Sequence, residues 1–265
     1  MKKLTLLFAS LLCVAYIAVA QLKLYVYQND GTRTEFVAST VDSIAFSTIT
    51  DSPDQPDVPI KPVDPTNGYE YVDLGLPSGT KWATMNVGAD SPEDYGDYFA
   101  WGETEPKETY YWSTYKWCNG SSHTQTKYCT SSSHGTVDNK TILDLSDDAA
   151  YVNWGSSWRM PTKAEYDELI NTSYTTWIWT TQNGVKGYKV TSKINGNSIF
   201  LPAAGYREDS SLYVAGSYGF YWSSSLNTYD SYYAYYLSFD SSGVRSTSYG
   251  GYRSYGLSVR PVVAK

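Results

Sequence analysis

The residues of this chain with the clearest chemistry are tyrosines and serines crowded near its C-terminal end. The stretch 217–258 contains ten Tyr, twelve Ser and five Gly, but no Lys and no Glu. Tyr offers a large, rigid contact area with a hydroxyl at its tip, while Ser and Gly offer adaptable hydrogen bonding, a combination typical of recognition surfaces. Alternating strands with a polar outer face have a similar composition. We expect both, with strands beneath and a binding surface above.

The other reactive side chains show no pattern typical of a metal site or an active site. His123 and His134 are the only histidines of the sequence, and their spacing does not match a zinc site. Glu165 and Glu168 lie at a predicted helix start, where the helix dipole favours acidic side chains, so we do not assign them as a glycosidase pair. Oxygen ligands of the kind that calcium prefers occur without a recognisable loop spacing at Asp138, Asn139, Asp144, Asp147 and Asp148. We therefore expect no metal site and no cofactor.

The first twenty residues have the pattern of a secretory signal peptide. Lys2 and Lys3 precede an apolar stretch at 4–17, and small residues at 18–20 form a candidate cleavage site. We expect an exported protein in the periplasm, on the cell surface or outside the cell, without a membrane span. Because such compartments permit disulfides, we expect Cys118 and Cys129 to be bridged, with two unpaired thiols as the alternative.

The net charge of −7 bears on the partners of the protein. The sequence contains no cluster of Lys and Arg, and an acidic chain repels a phosphate backbone. We therefore do not expect a nucleic-acid partner.

A Pro- and Asp-rich linker at 51–66 divides the exported chain into two parts. Before it, residues 21–50 predict a small β module, and after it residues 67–265 predict one domain. In the module, alternating residues at 22–27 precede an Asn-Asp-Gly turn and predict a hairpin with the strand at 32–37. A third short strand is predicted at 41–46.

Short aromatic strands and two helices predict an α+β fold for the domain. The strands are predicted at 69–72, 81–84, 98–101, 187–191, 198–201, 232–239 and 256–261. The first helix would be capped by Ser146 or Asp147 and end at Trp154. The second begins at a capping box of Thr162 and Glu165, with Glu165 facing water. Most Trp side chains are expected in the core, with the exceptions of Trp112, Trp177 and Trp179.

Several motifs occur in an order that points to a known family: YVDLGLPSGTKWATMNVGA, YGDYFAWGE, WRMPTKAEYDELI, NGVKGYKVTS, NGNSIFLPAAGYR, YWSSS and GLSVRPV. Over 67–265 the chain resembles the Fibrobacter succinogenes major paralogous domain family. Through that family it is similar to the C-type lectin-like fold of formylglycine-generating (sulfatase-modifying factor) enzymes. The resemblance implies short twisted antiparallel strands, two helices and long loops. The enzymes need reactive cysteines near the C-terminal end, and this chain has none after Cys129, so we expect no enzymatic activity.

The C-terminal pattern YWSSS, AYYLSFDSSGV and GLSVRPV also resembles proteins that are diversified by retroelements. This second resemblance implies scaffold positions at Trp222, Leu237, Phe239, Val244, Arg253, Gly256, Val259, Arg260 and Pro261. It implies displayed positions at Tyr229, Asp230, Tyr232, Tyr233, Ser241, Ser242, Ser246, Ser248, Tyr249, Tyr252, Ser254 and Tyr255, and we add Arg245 as a charged anchor.

We therefore expect a secreted or cell-surface, adhesin-like protein that binds a ligand without turning it over. Its ligand would be a protein or a glycan on another cell, a phage or a host surface. Two alternatives remain open. One is a structural subunit of a surface appendage, and the other is an accessory carbohydrate-binding protein or a carbohydrate-degrading enzyme.

Overall fold

The chain forms two compact units, Met1–Ile60 and Lys61–Lys265. The computed structural model describes residues 23–27, 33–37, 66–246 and 250–263. The predicted signal peptide, the predicted strand at 41–46 and the linker before Thr66 lie outside the described residues. In the first unit, strand β1 (Lys23–Tyr27) pairs antiparallel with β2 (Arg33–Val37), which confirms the predicted hairpin.

The second unit consists mostly of short antiparallel strands with two short helices, an α+β arrangement. The helices are α1 (Ala149–Trp154) and α2 (Lys163–Leu169). The strands are β3 (Tyr71–Asp73), β4 (Lys81–Ala83), β5 (Trp158–Arg159), β6 (Thr175–Gln182), β7 (Val185–Ser192), β8 (Ser198–Pro202), β9 (Tyr206–Glu208), β10 (Ser211–Tyr213), β11 (Tyr218–Leu226), β12 (Tyr233–Asp240), β13 (Gly243–Ser246), β14 (Gly251–Tyr252) and β15 (Val262–Val263).

These strands form four sheets within the second unit. One has the order β3-β4-β15-β5, so the last described strand lies between strands from earlier parts of the chain. A second has the order β6-β7-β8, and β9 and β10 form a separate two-stranded sheet. In the fourth, β12 lies between β11 and β13 and also pairs with β14. This fourth sheet carries much of the Tyr- and Ser-rich stretch.

Two predicted strands were wrong because their residues form isolated bridges and no continuous ladder. Residues 98–101 form only one bridge, between Phe99 and Leu257. Residues 256–261 form single bridges from three successive positions: Gly256 to Arg207, Leu257 to Phe99, and Ser258 to Tyr221. No two of these bridges continue along one partner, so no ladder forms. Strands β5, β6, β9, β10, β11, β13, β14 and β15 were not predicted from the sequence.

The capping box at α2 is confirmed, but the predicted orientation of Glu165 is wrong. The Thr162 hydroxyl accepts from the Glu165 amide at 3.3 Å, and Glu165 Oε2 accepts from the Thr162 amide at 2.8 Å. Glu165 is only 8% exposed because Arg159 and Thr80 also donate to its carboxylate. At α1 the cap is Asp148, one residue beyond the predicted positions, and its Oδ1 accepts from two backbone amides of the helix.

The tryptophans divide between the core and the surface much as predicted. Trp82, Trp101, Trp154, Trp158 and Trp222 are buried. The partly exposed ones are Trp112, Trp177 and Trp179, as expected, and also Trp117. The implied scaffold positions are buried as well, apart from a half-buried Val244.

Candidate functional site

An open groove of about 320 Å³ lies beside the C-terminal sheet and is lined mainly by aromatic rings. We call it the aromatic groove. Its lining residues are Tyr206, Phe220, Tyr233, Tyr236, Gly250, Gly251, Tyr252, Tyr255 and Leu257. None of these side chains is charged.

Strand pairing brings the first wall of the aromatic groove together. Tyr233 of β12 lies directly opposite Tyr252 of β14 in the antiparallel register. Because directly paired side chains project to the same face of a sheet, their rings meet, with centroids 4.9 Å apart and nearly parallel planes. Tyr255 follows three residues later, and its ring stands at 85° to that of Tyr252 with centroids 5.4 Å apart.

The second wall comes from three other strand positions. Tyr206 of β9 meets Phe220 of β11 edge to face, with ring centroids 5.4 Å apart. Phe220 also meets Tyr236 of β12, with ring centroids 5.7 Å apart. Gly251 keeps this part of the groove open, since a Cβ atom there would lie 3.0 Å from the Tyr236 ring. The groove thus has rings in several orientations around a floor without side-chain bulk.

The aromatic surface continues past the groove. Trp112 lies with its ring centroid 6.3 Å from those of both Tyr232 and Tyr252. Tyr232 stacks on His134 at 3.9 Å, and His123 lies 5.2 Å from Tyr232, both between ring centroids. We call the groove together with Trp112, His123, His134 and Tyr232 the aromatic band. It spans residues that lie far apart in the sequence.

Three tyrosines of the aromatic groove have raised pKa values. A hydrogen bond with Tyr252 raises the pKa of Tyr233 to about 12, with burial as a further cause. Burial raises the pKa of Tyr236. Burial, followed by the neighbouring Glu208 carboxylate, raises the pKa of Tyr255, whose hydroxyl donates to Glu208 Oε1 at 2.9 Å. These three phenols are therefore neutral near pH 7, and one carboxylate lies at the Tyr255 end of the groove.

Arg253 fixes the chain beneath the aromatic band. It is fully buried between Tyr252 and Ser254, and its guanidinium lies 5.1 Å from the ring centroid of Trp101. It donates to the backbone oxygens of Lys127, Tyr128 and Ser231 at 3.0 Å, and to side-chain oxygens of Tyr115 and Gln125. These bonds tie the segment that carries Tyr252 and Tyr255 to the loops below it.

The structure brings only part of the predicted site together. Tyr233, Tyr252 and Tyr255 line the aromatic groove, and Tyr232 lies in the band beside it. Tyr229 is 90% exposed, and Asp230 Oδ1 lies 3.6 Å from His134 Nδ1. The side chains of Tyr232, Tyr233, Tyr252 and Tyr255 are all at least partly exposed to solvent.

Ser241 and Ser242 lie elsewhere, in an open cavity of about 300 Å³ lined also by Trp179, Lys186, Gly216, Ser217, Tyr218 and Asp240. We call it the β12–β13 cavity. Arg245 is exposed nearby, with its Nη1 3.5 Å from Asp240 Oδ2. The Asp240 carboxylate accepts from the Ser242 amide at 2.7 Å, and hydrogen bonds from Ser242 lower the pKa of Asp240.

Four of the predicted positions place no described side chain on the surface. Ser254, expected on the displayed surface, is 1% exposed, because it follows the buried Arg253 into the interior. Ser246 is described only as part of the β13 backbone. Ser248 and Tyr249 lie outside the described residues.

The structure also corrects the expected disulfide. Cys118 and Cys129 are buried free thiols. The two thiols donate to different backbone oxygens, Cys118 to that of Trp112 at 3.1 Å and Cys129 to that of Ser131 at 3.1 Å. Burial raises the pKa of the Cys118 thiol, so this cysteine carries little thiolate at neutral pH.

Sequence reasoning missed Tyr206, Phe220 and Tyr236 as groove residues. For Phe220 a signal was present, since Tyr218, Phe220 and Trp222 alternate along one strand and must share a face. Tyr206 gave no such signal, because it reaches the groove from a separate sheet.

Within the described part of the chain, no group of three or more His, Cys, Asp or Glu side chains is arranged to hold a metal ion. None of the helices described has the length and apolar character needed to cross a bilayer.

Comparison with known proteins adds one match. Residues 174–262 match a family model described as a domain of unknown function (DUF8237). This segment begins just before β6 and includes every lining residue of the aromatic groove and of the β12–β13 cavity. No curated protein matches the chain. No solved structure matches it either.

Proposed function

We propose that residues 67–265 form a C-type lectin-like domain of an exported, adhesin-like protein, which binds a protein or glycan ligand at the aromatic groove without turning it over. The observation that carries the proposal is the convergence of six aromatic side chains from β9, β11, β12, β14 and the Tyr255 turn on one open groove. Rigid aromatic side chains give large contact areas at low entropic cost, and they dominate binding energy in recognition surfaces.

The chemistry of the groove supports binding rather than catalysis. The pKa values of Tyr233 and Tyr236 are raised, and a neutral phenol is a weak nucleophile and a weak base near neutral pH. Arg253 and the β12–β14 pairing give the rings a rigid support, which limits the entropy lost when a ligand binds. The lectin-like fold is supported by the short antiparallel strands, the two helices and the long stretch between β4 and β5, which contains α1, two short 3-10 helices and isolated bridges.

The proposal is tested by selecting ligands for the full chain from a displayed-peptide library and a glycan array. The affinity of the selected ligand is then measured for the wild-type protein and its variants. Tyr252→Ala is expected to lower the affinity for the selected ligand at least about tenfold, as for an aromatic hot spot. Tyr71→Ala is the matched control, because Tyr71 is 41% exposed and Tyr252 38% exposed, and Tyr71 lies on β3 in another sheet. Unchanged affinity in a folded Tyr252→Ala/Tyr255→Ala variant would contradict the proposal.

A second candidate function, accessory carbohydrate binding, is favoured by the β12–β13 cavity. That cavity combines the Trp179 ring with hydroxyls, the Lys186 amine and the Asp240 carboxylate. An aromatic face together with hydrogen-bonding groups of both kinds suits a sugar ring, whose faces are apolar and whose edge carries hydroxyls. On a glycan array this function predicts binding that is lost in Trp179→Ala and kept in Tyr252→Ala. The reverse pattern assigns the glycan to the aromatic groove.

A further inference from the structure

We propose that the aromatic groove receives the guanidinium of an arginine side chain presented by a polypeptide partner, an inference that rests on the proposed binding function of the groove. The faces of aromatic rings are electron-rich and attract cations, and Tyr is among the residues that bind them in this way. Six aromatic residues line the groove, and no lining residue carries a positive charge. The groove therefore offers an arrangement of rings without a cation of its own.

The domain already pairs arginines with aromatic rings. The guanidinium of Arg253 lies 5.1 Å, 5.2 Å and 5.9 Å from the ring centroids of Trp101, Tyr115 and Tyr128. Arg207 lies 5.1 Å from the ring centroid of Tyr98. Because both guanidiniums lie over rings outside the aromatic groove, neither supplies a cation to the groove. The same chemistry is left open at the surface for a partner.

The charges around the groove favour a cation over a neutral ligand. Glu208 lies on the same strand as Tyr206, two residues along, so both side chains project to one face of β9. The Tyr255 hydroxyl holds the Glu208 carboxylate at the end of the groove through a hydrogen bond of 2.9 Å. Asp230 lies close enough to Tyr233 for its charge to contribute to the raised pKa of that residue. The net charge of −7 adds a long-range attraction for basic partners.

Arginine fits this groove better than lysine does. A guanidinium is planar, stacks on aromatic faces and is more weakly hydrated than an ammonium group, so entering an aromatic groove costs it less. The rings of Tyr252 and Tyr255 stand at 85° to each other, and the Glu208 carboxylate is fixed beside Tyr255. A guanidinium stacked on one ring can thus direct its N–H groups at the carboxylate. The aromatic band beyond the groove gives the rest of a polypeptide a surface to contact.

The test is a calorimetric or NMR titration of the full chain with three peptides that differ at one side chain: acetyl-Gly-Arg-Gly-amide and its citrulline and lysine analogues. Citrulline keeps the shape of arginine and removes the charge. We expect the arginine peptide to bind about tenfold more tightly than the citrulline peptide, a ratio typical of cation–π contacts with several rings. The lysine peptide is expected between the two, and the advantage of arginine is expected to shrink with added salt.

Variants show which residues produce the preference for the arginine peptide. Tyr252→Leu keeps an apolar side chain but removes the ring, so the ratio between arginine and citrulline peptides is expected to fall toward one. Glu208→Gln is expected to lower the affinity for the arginine peptide about threefold and to leave the affinity for the citrulline peptide unchanged. Tyr71→Leu, on another sheet, is the control and should leave the ratio unchanged, and thermal unfolding checks that every variant folds.

The outcomes separate this inference from the proposed function. Equal affinity for the arginine and citrulline peptides overturns the inference, and so does an arginine preference that survives in Tyr252→Leu or the lack of binding by all three peptides. In each of these cases the proposed function still stands if Tyr252→Ala loses binding of the library-selected ligand. If that ligand binds Tyr252→Ala/Tyr255→Ala unchanged, the proposed function fails as well.

Discussion

Arg253 and Glu165 are both charged and buried, and the protein stabilises each charge by a different set of partners. Removing a charge from water is costly unless hydrogen bonds or an opposite charge replace the lost solvent. Arg253 is held by neutral oxygens from two loops and by aromatic rings. Glu165 forms a two-bond ion pair with Arg159, at 2.6 Å and 2.7 Å, and accepts from Thr80 at 2.7 Å. Each residue therefore joins segments that are distant in the sequence.

At the residue scale, we predict that Glu165 makes stability depend on acid pH. Burial opposes ionisation, but hydrogen bonds from Arg159, Thr162 and Thr80 outweigh it and hold the pKa of Glu165 at about 2, against 4.5 when unperturbed. Its contribution is thus fully present above pH 4.5 and is lost as the pH falls toward about 2. That pKa difference corresponds to roughly 3 kcal/mol, which Glu165→Gln should remove at pH 7.

Urea unfolding of the wild-type protein and Glu165→Gln at pH 7, 5 and 3 measures this difference. The gap in unfolding free energy should narrow at pH 3. Asp167→Asn is the control on the same helix, because its ion pair with Lys163 is exposed to solvent and should be worth less than about 1 kcal/mol. A gap that stays constant with pH would contradict the assignment.

The capping box shows what sequence can predict about a single residue. Thr162 and Glu165 are three positions apart, so their mutual bonds are local and were predicted from the spacing. The burial of Glu165 depends on Thr80, which is 85 positions away, and no local pattern encodes that contact. Ser254 is a similar case, since its burial follows from the loop contacts of its neighbour Arg253.

At the element scale, the pairing of β11 with β12 depends on a glycine. Gly219 lies directly opposite Phe239 in the register, and a Cβ atom there would come within 2.1 Å of the Phe239 ring. We predict that Gly219→Ala forces this ring aside and costs about 1–3 kcal/mol, the usual range for overpacking. Chemical denaturation of the variant measures the cost.

A double variant supplies the control for this prediction. Phe239→Leu removes the ring that would collide with the new methyl group. The double variant Gly219→Ala/Phe239→Leu should therefore lose less unfolding free energy than the two single variants lose in total. Additive effects would mean that Gly219 is needed for another reason.

Composition predicted the strands unevenly. Strand β7 was predicted from a short aromatic run between turn residues, but β6, which pairs with it over eight positions, was not. Residues 256–261 also have strand-like composition, but each of the first three pairs with a different segment. The aromatic groove has the same character, because it is assembled from β9, β11, β12 and β14, and composition alone located only its C-terminal wall.

At the scale of the whole molecule, the last described strand of the second unit pairs with strands from earlier in that unit. Val262 of β15 lies opposite both Trp82 of β4 and Arg159 of β5, so this strand completes the sheet between them. Just before it, the buried Arg260 donates to Asn86 Oδ1 at 2.9 Å and to the Ala83 oxygen at 3.1 Å. Burial lowers the pKa of Arg260 to about 10, still well above neutral pH, so the charge that makes these bonds persists.

We therefore predict opposite outcomes for trimming the two sides of the chain. A chain shortened by residues 260–265 should lose cooperative unfolding and expose its tryptophans, because β4 and β5 lose the strand that joins them and about three buried hydrogen bonds to Arg260 are left without a donor. Residues 61–265 alone, lacking only the first compact unit, should unfold in one transition within about 3 °C of the full chain, since each unit is compact by itself. Scanning calorimetry and tryptophan emission measure both. Cooperative unfolding of the chain that lacks 260–265 would show that the sheet holds without its last strand.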